Sequence, residues 1–246
     1  MRGFIDLHSH WVAGIDDGAR TPADGHALLS ALFEAGFDRV VATPHMRPGL
    51  FDNTKTALRE AYDRTRAAVG ASEERAENGL PRVSLASEHF FDDIVFARLL
   101  EGDALPYGAG KCVLVEFPVR TFPLRAQHRF HDLVRRGLRP VLAHPERYDP
   151  VAKDITVLDP LIDVGALLLL DVGALAGKYG RAARKASEKL LDEGYYYAAC
   201  SDAHRAPDVR EVKEGIDELF DRVGEEEGRF LLTEGPRQIL EGTLSR

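Results

Sequence analysis

The chain contains 246 residues, of which 44% are hydrophobic and 29% are charged, so a large buried core can form and extensive disorder is excluded. Its formal net charge of −8 argues against non-specific binding to nucleic acid, which requires a basic surface. No apolar run reaches the ~18 residues of a membrane span, and the N-terminal MRGFIDLHSH predicts a strand rather than a signal peptide. We therefore expect a cytoplasmic protein that neither binds nucleic acid nor inserts into a membrane.

Short apolar runs alternate with segments of helical spacing along the whole chain. The predicted strands span residues 4–8, 39–43, 83–88, 112–117, 139–144, 167–172 and 197–202. The predicted helices span residues 22–36, 54–69, 125–136, 180–193, 208–222 and 235–244. Near-continuously apolar strands are typical of a parallel sheet buried on both faces. Seven β/α units without a break in composition predict one α/β domain, and at this length a parallel sheet or barrel is expected.

The two cysteines, Cys112 and Cys200, lie inside apolar runs, which predicts buried free thiols. Neither fits a cysteine-dependent phosphatase, which needs an arginine after five intervening residues. Position 118 is proline and position 206 is alanine. A cysteine-dependent tyrosine phosphatase is therefore set aside.

Nine side chains of the types that bind metals recur mostly where predicted strands end. They are His8, His10, Asp17, His45, Glu88, Glu116, His144, Asp202 and His204. In a β/α barrel the carboxyl ends of all strands meet at one rim, which would bring these side chains together. His8 and His10 are two residues apart on a strand, so both rings point to one side and can share a metal. Imidazoles and carboxylates in this number suit two or three divalent cations that activate water.

Other acidic and histidine residues near these positions have competing interpretations. Asp6 either orients one ring of the pair or accepts a hydrogen bond at the start of its strand. Asp16 is expected to orient a ligand or to remain solvated. The four histidines outside the set fall at predicted helix or loop positions, which favours the surface: His26, His89, His128 and His131.

A series of motifs keeps its order from about residue 4 to about residue 240: IDLHSH at 5–10, DDG at 16–18, TPH at 43–45, SE at 87–88, EF at 116–117, AHPERY at 143–148 and SDAH at 201–204. Together they resemble the PHP (polymerase and histidinol phosphatase) superfamily. More closely, they resemble the bacterial manganese-dependent protein-tyrosine phosphatases encoded with capsule and exopolysaccharide genes. The resemblance implies the PHP fold, a distorted seven-stranded (β/α)7 TIM-like barrel, as a single metallophosphatase domain over residues 1–246.

The resemblance also implies three divalent metal ions, with Mn²⁺ expected and iron or zinc compatible with the same donors. One ion is assigned to His8, His10, Glu88 and Asp202. Glu88 would bridge to a second ion, also held by Glu116 and His144. The third is assigned to Asp17, His45 and His204. A metal-bridging hydroxide would then attack the phosphorus of phosphotyrosine.

Arginines are the expected phosphate contacts, because a guanidinium matches phosphate oxygens bidentately. Arg147 in AHPERY is the leading candidate, with a surface ion pair as the alternative. Arg47 can contact phosphate or the flanking peptide. Relatives commonly place a second phosphate-binding arginine a few residues after the last D-x-H, and Arg205 and Arg210 are candidates whose spacing matches poorly. Position 171 is aspartate where an asparagine is expected, which either tightens the site electrostatically or ends a strand.

The expected substrate is phosphotyrosine on the tail of a bacterial tyrosine kinase, in the regulation of capsular or exopolysaccharide biosynthesis. Three alternatives remain. A PHP phosphoesterase for histidinol phosphate, a nucleotide or a sugar phosphate would share the metal site. An amidohydrolase usually has a bridging lysine at a central strand, and no predicted strand ends in lysine. A non-catalytic metal-binding protein is disfavoured by the complete ligand set. The sequence leaves the oligomeric state open.

Overall fold

Parallel strands with buried side chains run through the middle of the structure, a computed structural model that describes residues 1–244. The strands are β1 (Phe4–Ser9), β2 (Phe37–Ala42), β3 (His45–Met46), β4 (Arg82–Leu85), β5 (Glu88–Phe90), β6 (Cys112–Glu116), β7 (Arg139–Ala143), β8 (Leu167–Asp171) and β9 (Ala198–Cys200). They pair in parallel as two sheets, ordered β1-β2-β4 and β3-β5-β6-β7-β8-β9. The predicted α/β class with parallel sheets is confirmed.

One of the seven predicted strands is divided in the structure and another is followed by an additional short strand, which changes the strand count. The predicted 39–43 strand becomes β2, followed by the short β3, and the predicted 83–88 strand becomes β4 and β5. Pro44 lies at the first break, where proline cannot donate a ladder hydrogen bond. Its carbonyl instead accepts from Ser87 Oγ at 2.8 Å and from Glu88 N at 3.2 Å. Sheet pairing therefore gives nine strands in two sheets within residues 1–244, and this count does not confirm a seven-stranded barrel.

The helices follow the strands and cover them. They are α1 (Pro22–Glu34), α2 (Lys55–Val69), α3 (Asp93–Glu101), α4 (Ala126–Arg135), α5 (Asp149–Lys153), α6 (Asp159–Asp163), α7 (Arg181–Asp192), α8 (Val209–Arg229) and α9 (Gly235–Glu241). All six predicted helices are present. α1 begins as expected, with a Thr21–Asp24 capping box and Pro22 in its first turn. No helix within the described residues is long and apolar enough to cross a membrane.

Three helices were absent from the sequence prediction, and α3 is the longest of them. It has nine residues and buries only Val95 and Leu99, so its apolar period is short. Its ends nevertheless carry ordinary signals: Asp92 accepts from Val95 N, and Gly102 adopts a left-handed conformation after the last turn. The short α5 and α6, five residues each, give too little periodicity for detection.

Alternate residues of each long strand enter two separate hydrophobic clusters. On β6, Leu114 belongs to one cluster and Val115 to the other, and Leu169 and Leu170 of β8 divide in the same way. Both faces of these strands are therefore buried, which explains why the sequence shows continuous apolar runs instead of alternation. Cys112 and Cys200 are buried free thiols, as predicted.

Candidate metal centre

All nine predicted metal-type side chains meet in one region at the carboxyl ends of the strands. Four overlapping groups have donor atoms within 4.8 Å of one another: His10–Asp17–His45–His204, His8–His144–Asp202, His8–His10–Glu88 and His45–Glu88–Glu116. Seven of these side chains are buried, while Asp17 and His204 lie at the opening. The parallel strand order accounts for part of the convergence, because Glu116 ends β6 and His144 directly follows β7 at the same rim. His45 and Glu88 instead begin β3 and β5, and Cα pairing of these two residues places them side by side.

Glu88 lies at the centre of the cluster. Its Oε1 is 3.3 Å from His8 Nε2 and 3.2 Å from His144 Nε2. Its Oε2 is 2.8 Å from His45 Nδ1 and 3.7 Å from His10 Nε2. One buried carboxylate thus faces four imidazoles, an arrangement that suits a ligand shared between cations.

Two oxygen atoms outside the predicted set orient the paired histidines. Thr43 Oγ1 lies 2.6 Å from His8 Nδ1, and Asp16 Oδ2 lies 2.8 Å from His10 Nδ1. Each contact leaves the ring's Nε2 directed toward the cluster, as expected for metal-binding imidazoles with an outer partner. Asp16 therefore has the orienting role rather than the solvated one. The role of Thr43 was not predicted, although it stands in the TPH motif.

The chemistry of the donors fits divalent cations. His8 Nε2, His10 Nε2 and Asp202 Oδ1 are buried and, among residues 1–244, have no hydrogen-bond partner despite neighbours at 3.1–3.5 Å. Buried polar atoms normally have a hydrogen-bond partner. Metal-ligating atoms that face one another at these distances without such a partner are explained by a cation bound between them. Imidazole and carboxylate together suit manganese, iron or zinc.

The grouping of donors differs in part from the predicted assignment to ions. Asp17, His45 and His204 form one group as predicted, and the structure adds His10 to it. Glu116 groups with His45 and Glu88, whereas His144 groups with His8 and Asp202. Glu116 and His144, assigned to one ion from the resemblance, thus fall in different groups.

Burial and neighbouring charges shift the pKa values of side chains in the cluster. Burial and the charge of Glu88 raise the pKa of Glu116 to about 7. Burial alone would lower the pKa of His45, but Glu88 and Asp17 raise it to about 11. In the absence of metal the cluster therefore holds protons that divalent cations would replace.

Two site residues adopt a backbone conformation that side chains rarely tolerate. His144 has φ 33° and Asp202 has φ 41°, both in the left-handed region. Such strain concentrates at functional sites, where the surrounding structure fixes it. His144 directly follows β7, and Asp202 lies two residues after the end of β9, so the left-handed conformation occurs where each chain segment leaves its strand at the cluster.

A cavity of about 290 Å³ opens beside the cluster, and both acidic and basic side chains line it. It is lined by Asp17, Arg147, Lys178, Tyr179, Asp202, His204, Arg205 and Asp208. Arg147 Nη1 donates to Asp202 Oδ2 at 2.6 Å, and its guanidinium lies 4.3 Å from the centre of the Tyr179 ring. Lys178 Nζ donates to the Asp202 carbonyl at 3.3 Å. Lys178 and Tyr179 were not predicted, although their loop follows β8 at the same rim.

The remaining candidate arginines differ in position. Arg205 is exposed and lines the cavity. Arg210 is not among the lining residues: its side chain is 74% exposed and pairs with Glu211 at 2.6 Å, so the structure does not bring it to the site. Arg47 stacks on Phe90 at 4.1 Å and contributes positive charge at Glu116.

Asp6 and Asp171 have structural contacts. Asp6 accepts from Ser201 Oγ at 2.6 Å, from Ser201 N at 2.9 Å and from His8 N at 3.2 Å. It thus fixes the backbone of β1 against the loop after β9, as its strand-acceptor interpretation predicts. Asp171 ends β8 and accepts from Gly173 N at 2.8 Å, while burial raises its pKa.

One histidine prediction was wrong. His89 is buried on β5, where its ring contacts the Leu114 carbonyl at 2.8 Å and accepts from Leu105 N at 3.3 Å. The predicted strand ended at residue 88, which placed His89 in a loop. The other three, His26, His128 and His131, are exposed as predicted.

We expect Asp16→Asn to lower catalytic turnover by about 10–100-fold, the usual range for a partner of a metal ligand. Asp16 accepts from His10 at 2.8 Å and from Gly18 N at 3.0 Å, so its loss would free both the ring and the DDG loop. Turnover and bound metal should be measured together. Asp38→Asn, which removes an exposed partner of Arg2, is the matched control. Equal turnover in the two variants would refute the orienting role.

The chain matches known proteins over almost all of its length. The family model described as "Capsular polysaccharide synthesis, CpsB/CapC" matches residues 4–241. A tyrosine-protein phosphatase, YwqE of Bacillus subtilis, is 31% identical over 200 residues, covering 81% of this chain and 77% of YwqE. The tyrosine-protein phosphatase CpsB of Streptococcus pneumoniae is 23% identical over 243 residues, covering 96% of this chain and 98% of CpsB.

A solved structure relates the chain to the same two proteins, YwqE and CpsB. A structure from a study of B. subtilis YwqE and S. pneumoniae CpsB, described as unique metal-dependent tyrosine phosphatases, superposes with a TM-score of 0.87. It is 29% identical and covers 98% of this chain and 96% of that chain. An Escherichia coli phosphotriesterase homology protein, 13% identical with a TM-score of 0.59, shares the fold. The chain therefore belongs to the CpsB/CapC family of capsular polysaccharide synthesis proteins.

Proposed function

We propose that this protein is a metal-dependent protein-tyrosine phosphatase that hydrolyses phosphotyrosine to tyrosine and inorganic phosphate. The observation that carries the proposal is the convergence of nine buried or rim-lying metal-type donors beside a cavity that contains Arg147. Relatives named tyrosine-protein phosphatases, one of them 31% identical, support the substrate class. A metal-dependent tyrosine phosphatase of the same fold supports the use of metal.

We infer that the nine donors hold three divalent cations, with Mn²⁺ as the preferred metal and iron or zinc as alternatives. Three of the four overlapping donor groups support this number: the group with His204 and Asp17, the group with His144 and Asp202, and the group with Glu116 and Glu88. Glu88 would be shared between ions. When bound, the cations supply Lewis acidity and make water nucleophilic at neutral pH.

The protein's own residues would position the phosphoryl group. Arg147 is held by Asp202 on one side and by the Tyr179 ring on the other, so its guanidinium is fixed at the edge of the cavity. From there it can donate to the phosphate oxygens, whose charge must be stabilised in the transition state. Lys178 and Arg205 add positive charge around the same opening.

We also infer that the two sheets form one distorted barrel with seven strand positions. In this arrangement β2 with β3 and β4 with β5 each occupy one position. A parallel bridge between Ser9 and Ala203, with Asp202 N donating to the His8 carbonyl at 2.9 Å, supports closure between β1 and β9. A closed arrangement would explain why ligands from first and last strands meet.

The biological setting is part of the proposal. We propose that the substrate is the phosphorylated tail of a bacterial tyrosine kinase and that the enzyme acts in capsular or exopolysaccharide biosynthesis, since the family is described by that process. A cytoplasmic location is supported by Cys112 and Cys200, which are both free thiols.

Arg147→Lys is expected to lower kcat/KM for a phosphotyrosine peptide by about 100-fold or more, because lysine retains the charge but loses the forked contact. Arg210→Lys is the matched control, since Arg210 pairs with Glu211 on the surface of α8 and should change kcat/KM less than twofold, roughly the noise of surface substitutions. A similar loss in both variants would contradict the assignment of Arg147.

The substrate class is tested by comparing phosphotyrosine peptide, phosphoserine peptide, histidinol phosphate and a nucleotide monophosphate with the Mn²⁺-loaded protein. We expect the highest kcat/KM for the phosphotyrosine peptide. Preference for histidinol phosphate or the nucleotide would keep the metal site and replace the substrate with a small metabolite.

A further inference from the structure

A second cleft, of about 320 Å³, lies next to the cavity of the metal centre. It is lined by Gly18, Ala19, Arg20, Asp24, Ala27, Arg205, Ala206 and Pro207. Two chain segments line both spaces: Asp17 faces the metal cavity while residues 18–20 face the cleft, and Arg205 belongs to both. The two spaces are therefore adjacent, and Arg205 lines both.

The loop of residues 18–20, which lines the cleft, is hydrogen-bonded to the backbone of His10, one of the candidate metal ligands. Ala19 N donates to the His10 carbonyl at 2.9 Å, and Gly14 N donates to the Ala19 carbonyl at 2.8 Å. A side chain at Gly18 would collide with the His10 carbonyl, because its Cβ would lie 2.0 Å from that oxygen. The position of this loop is thus fixed relative to the ligands His10 and Asp17.

The cleft presents two guanidinium groups, and one of them, Arg20, lies close to Asp24: hydrogen bonds with Thr21 lower the pKa of that carboxyl, and the charge of Arg20 lowers it further. Arg20 and Arg205 are both exposed, and no ion pair is found for either within residues 1–244. Asp24 is the single carboxylate of the lining, and it already accepts from Thr21 N and Thr21 Oγ1 at 2.9 Å each. Two guanidinium groups against one engaged carboxylate favour an acidic ligand, in a protein whose overall charge is −8.

We propose that this cleft binds an acidic side chain located within about three residues of the phosphotyrosine in the substrate protein. The inference rests on the proposed phosphotyrosine phosphatase function. Consecutive Cα atoms are only ~3.8 Å apart, so a chain whose phosphotyrosine enters the metal cavity must place its neighbouring residues over the adjoining surface. The alanine and proline side chains of the lining accommodate the aliphatic part, and the guanidinium groups pair with the carboxylate.

The test uses two phosphotyrosine peptides that differ only at about three residues on each side of the phosphotyrosine, the span of the proposal, which are glutamate in one and glutamine in the other. For the wild-type Mn²⁺-loaded protein, kcat/KM should be about fivefold higher for the glutamate peptide, the scale of an exposed ion pair. The difference should lie in KM and should shrink at high salt. Arg20→Gln should reduce the preference, and Arg20→Glu should abolish or reverse it.

Arg135→Glu, the same charge change at an exposed position on α4, should retain the fivefold preference. Equal hydrolysis of both peptides by the wild-type protein, or an unchanged preference in Arg20→Glu, would overturn the cleft assignment while leaving the phosphatase function in place. Failure to hydrolyse either peptide would instead refute the phosphatase function, and the cleft assignment with it.

Discussion

Glu88→Gln is expected to lower turnover of a phosphotyrosine peptide by more than about a hundredfold, which is above the usual loss for an outer partner of a metal ligand. The glutamate carboxylate lies within 3.7 Å of four imidazole nitrogens and is buried. Glutamine has nearly the same shape but carries no negative charge, so the fold should persist while cation binding weakens. Bound metal per chain should fall in the same variant.

Two further ligand variants, His144→Ala and Asp202→Ala, are expected to abolish turnover while the protein remains folded.

Glu101→Gln, at the exposed end of α3, is the matched control for the Glu88→Gln substitution and should behave as wild type. If Glu88→Gln retained wild-type turnover and full metal content, Glu88 would not be a ligand of the metal centre. Circular dichroism would separate loss of metal from loss of fold.

The stability gained from metal should increase as pH rises. Burial lowers the pKa of His8, but Glu88 and Asp202 raise it to about 9, and the pKa of His45 is raised to about 11 in the same way. A group whose folded-state pKa is raised stabilises the metal-free fold below its unfolded value of about 6.5. That contribution is lost as pH rises through 9 and then 11.

The stability of the metal-loaded protein should instead increase as pH rises, because cations bind only deprotonated imidazoles. We therefore expect the difference in Tm between Mn²⁺-loaded and chelator-treated protein to widen from pH 6.5 to pH 9, by roughly 5 °C for a change of ~2 kcal/mol. Thermal unfolding at both pH values, with and without chelator, measures it. A difference that narrows with pH would show that these imidazoles do not exchange protons for metal.

The strand pattern and the ligand positions could be predicted together because they share one cause. Buried parallel strands produce continuous apolar runs, and their carboxyl ends deliver side chains to one rim. His8 lies near the end of β1 and His144 directly follows β7, so recognising these strands also located part of the cluster. Glu88 ended a predicted strand, but in the structure it begins β5. Motif order strengthened the assignment.

Contacts made through tertiary structure were harder to predict. Thr43 and Asp16 orient histidines across gaps of 35 and 6 residues, and nothing in local periodicity identifies such partners. Pro44 separates β2 from β3, and its carbonyl accepts from Ser87 Oγ and from Glu88 N, which are distant in sequence. Lys178 lies in a loop whose path over Asp202 depends on the packing after β8.

The choice among the arginines also required the structure. Arg147, Arg205 and Arg210 are all close in sequence to predicted ligands. Only their positions separate them: Arg147 contacts Asp202, Arg205 lines the cavity, and Arg210 pairs on the surface of α8. Helix periodicity places Arg210 on an outer face once α8 is known to begin at Val209.

The most direct test of the metal-dependent mechanism is a titration of Mn²⁺ into chelator-treated protein, with bound metal counted by mass spectrometry and phosphotyrosine-peptide turnover measured at each point. The proposal predicts no turnover without metal and a rise to full turnover as the cluster fills, with three ions bound at saturation. Full turnover by protein shown to contain no metal would contradict the proposal.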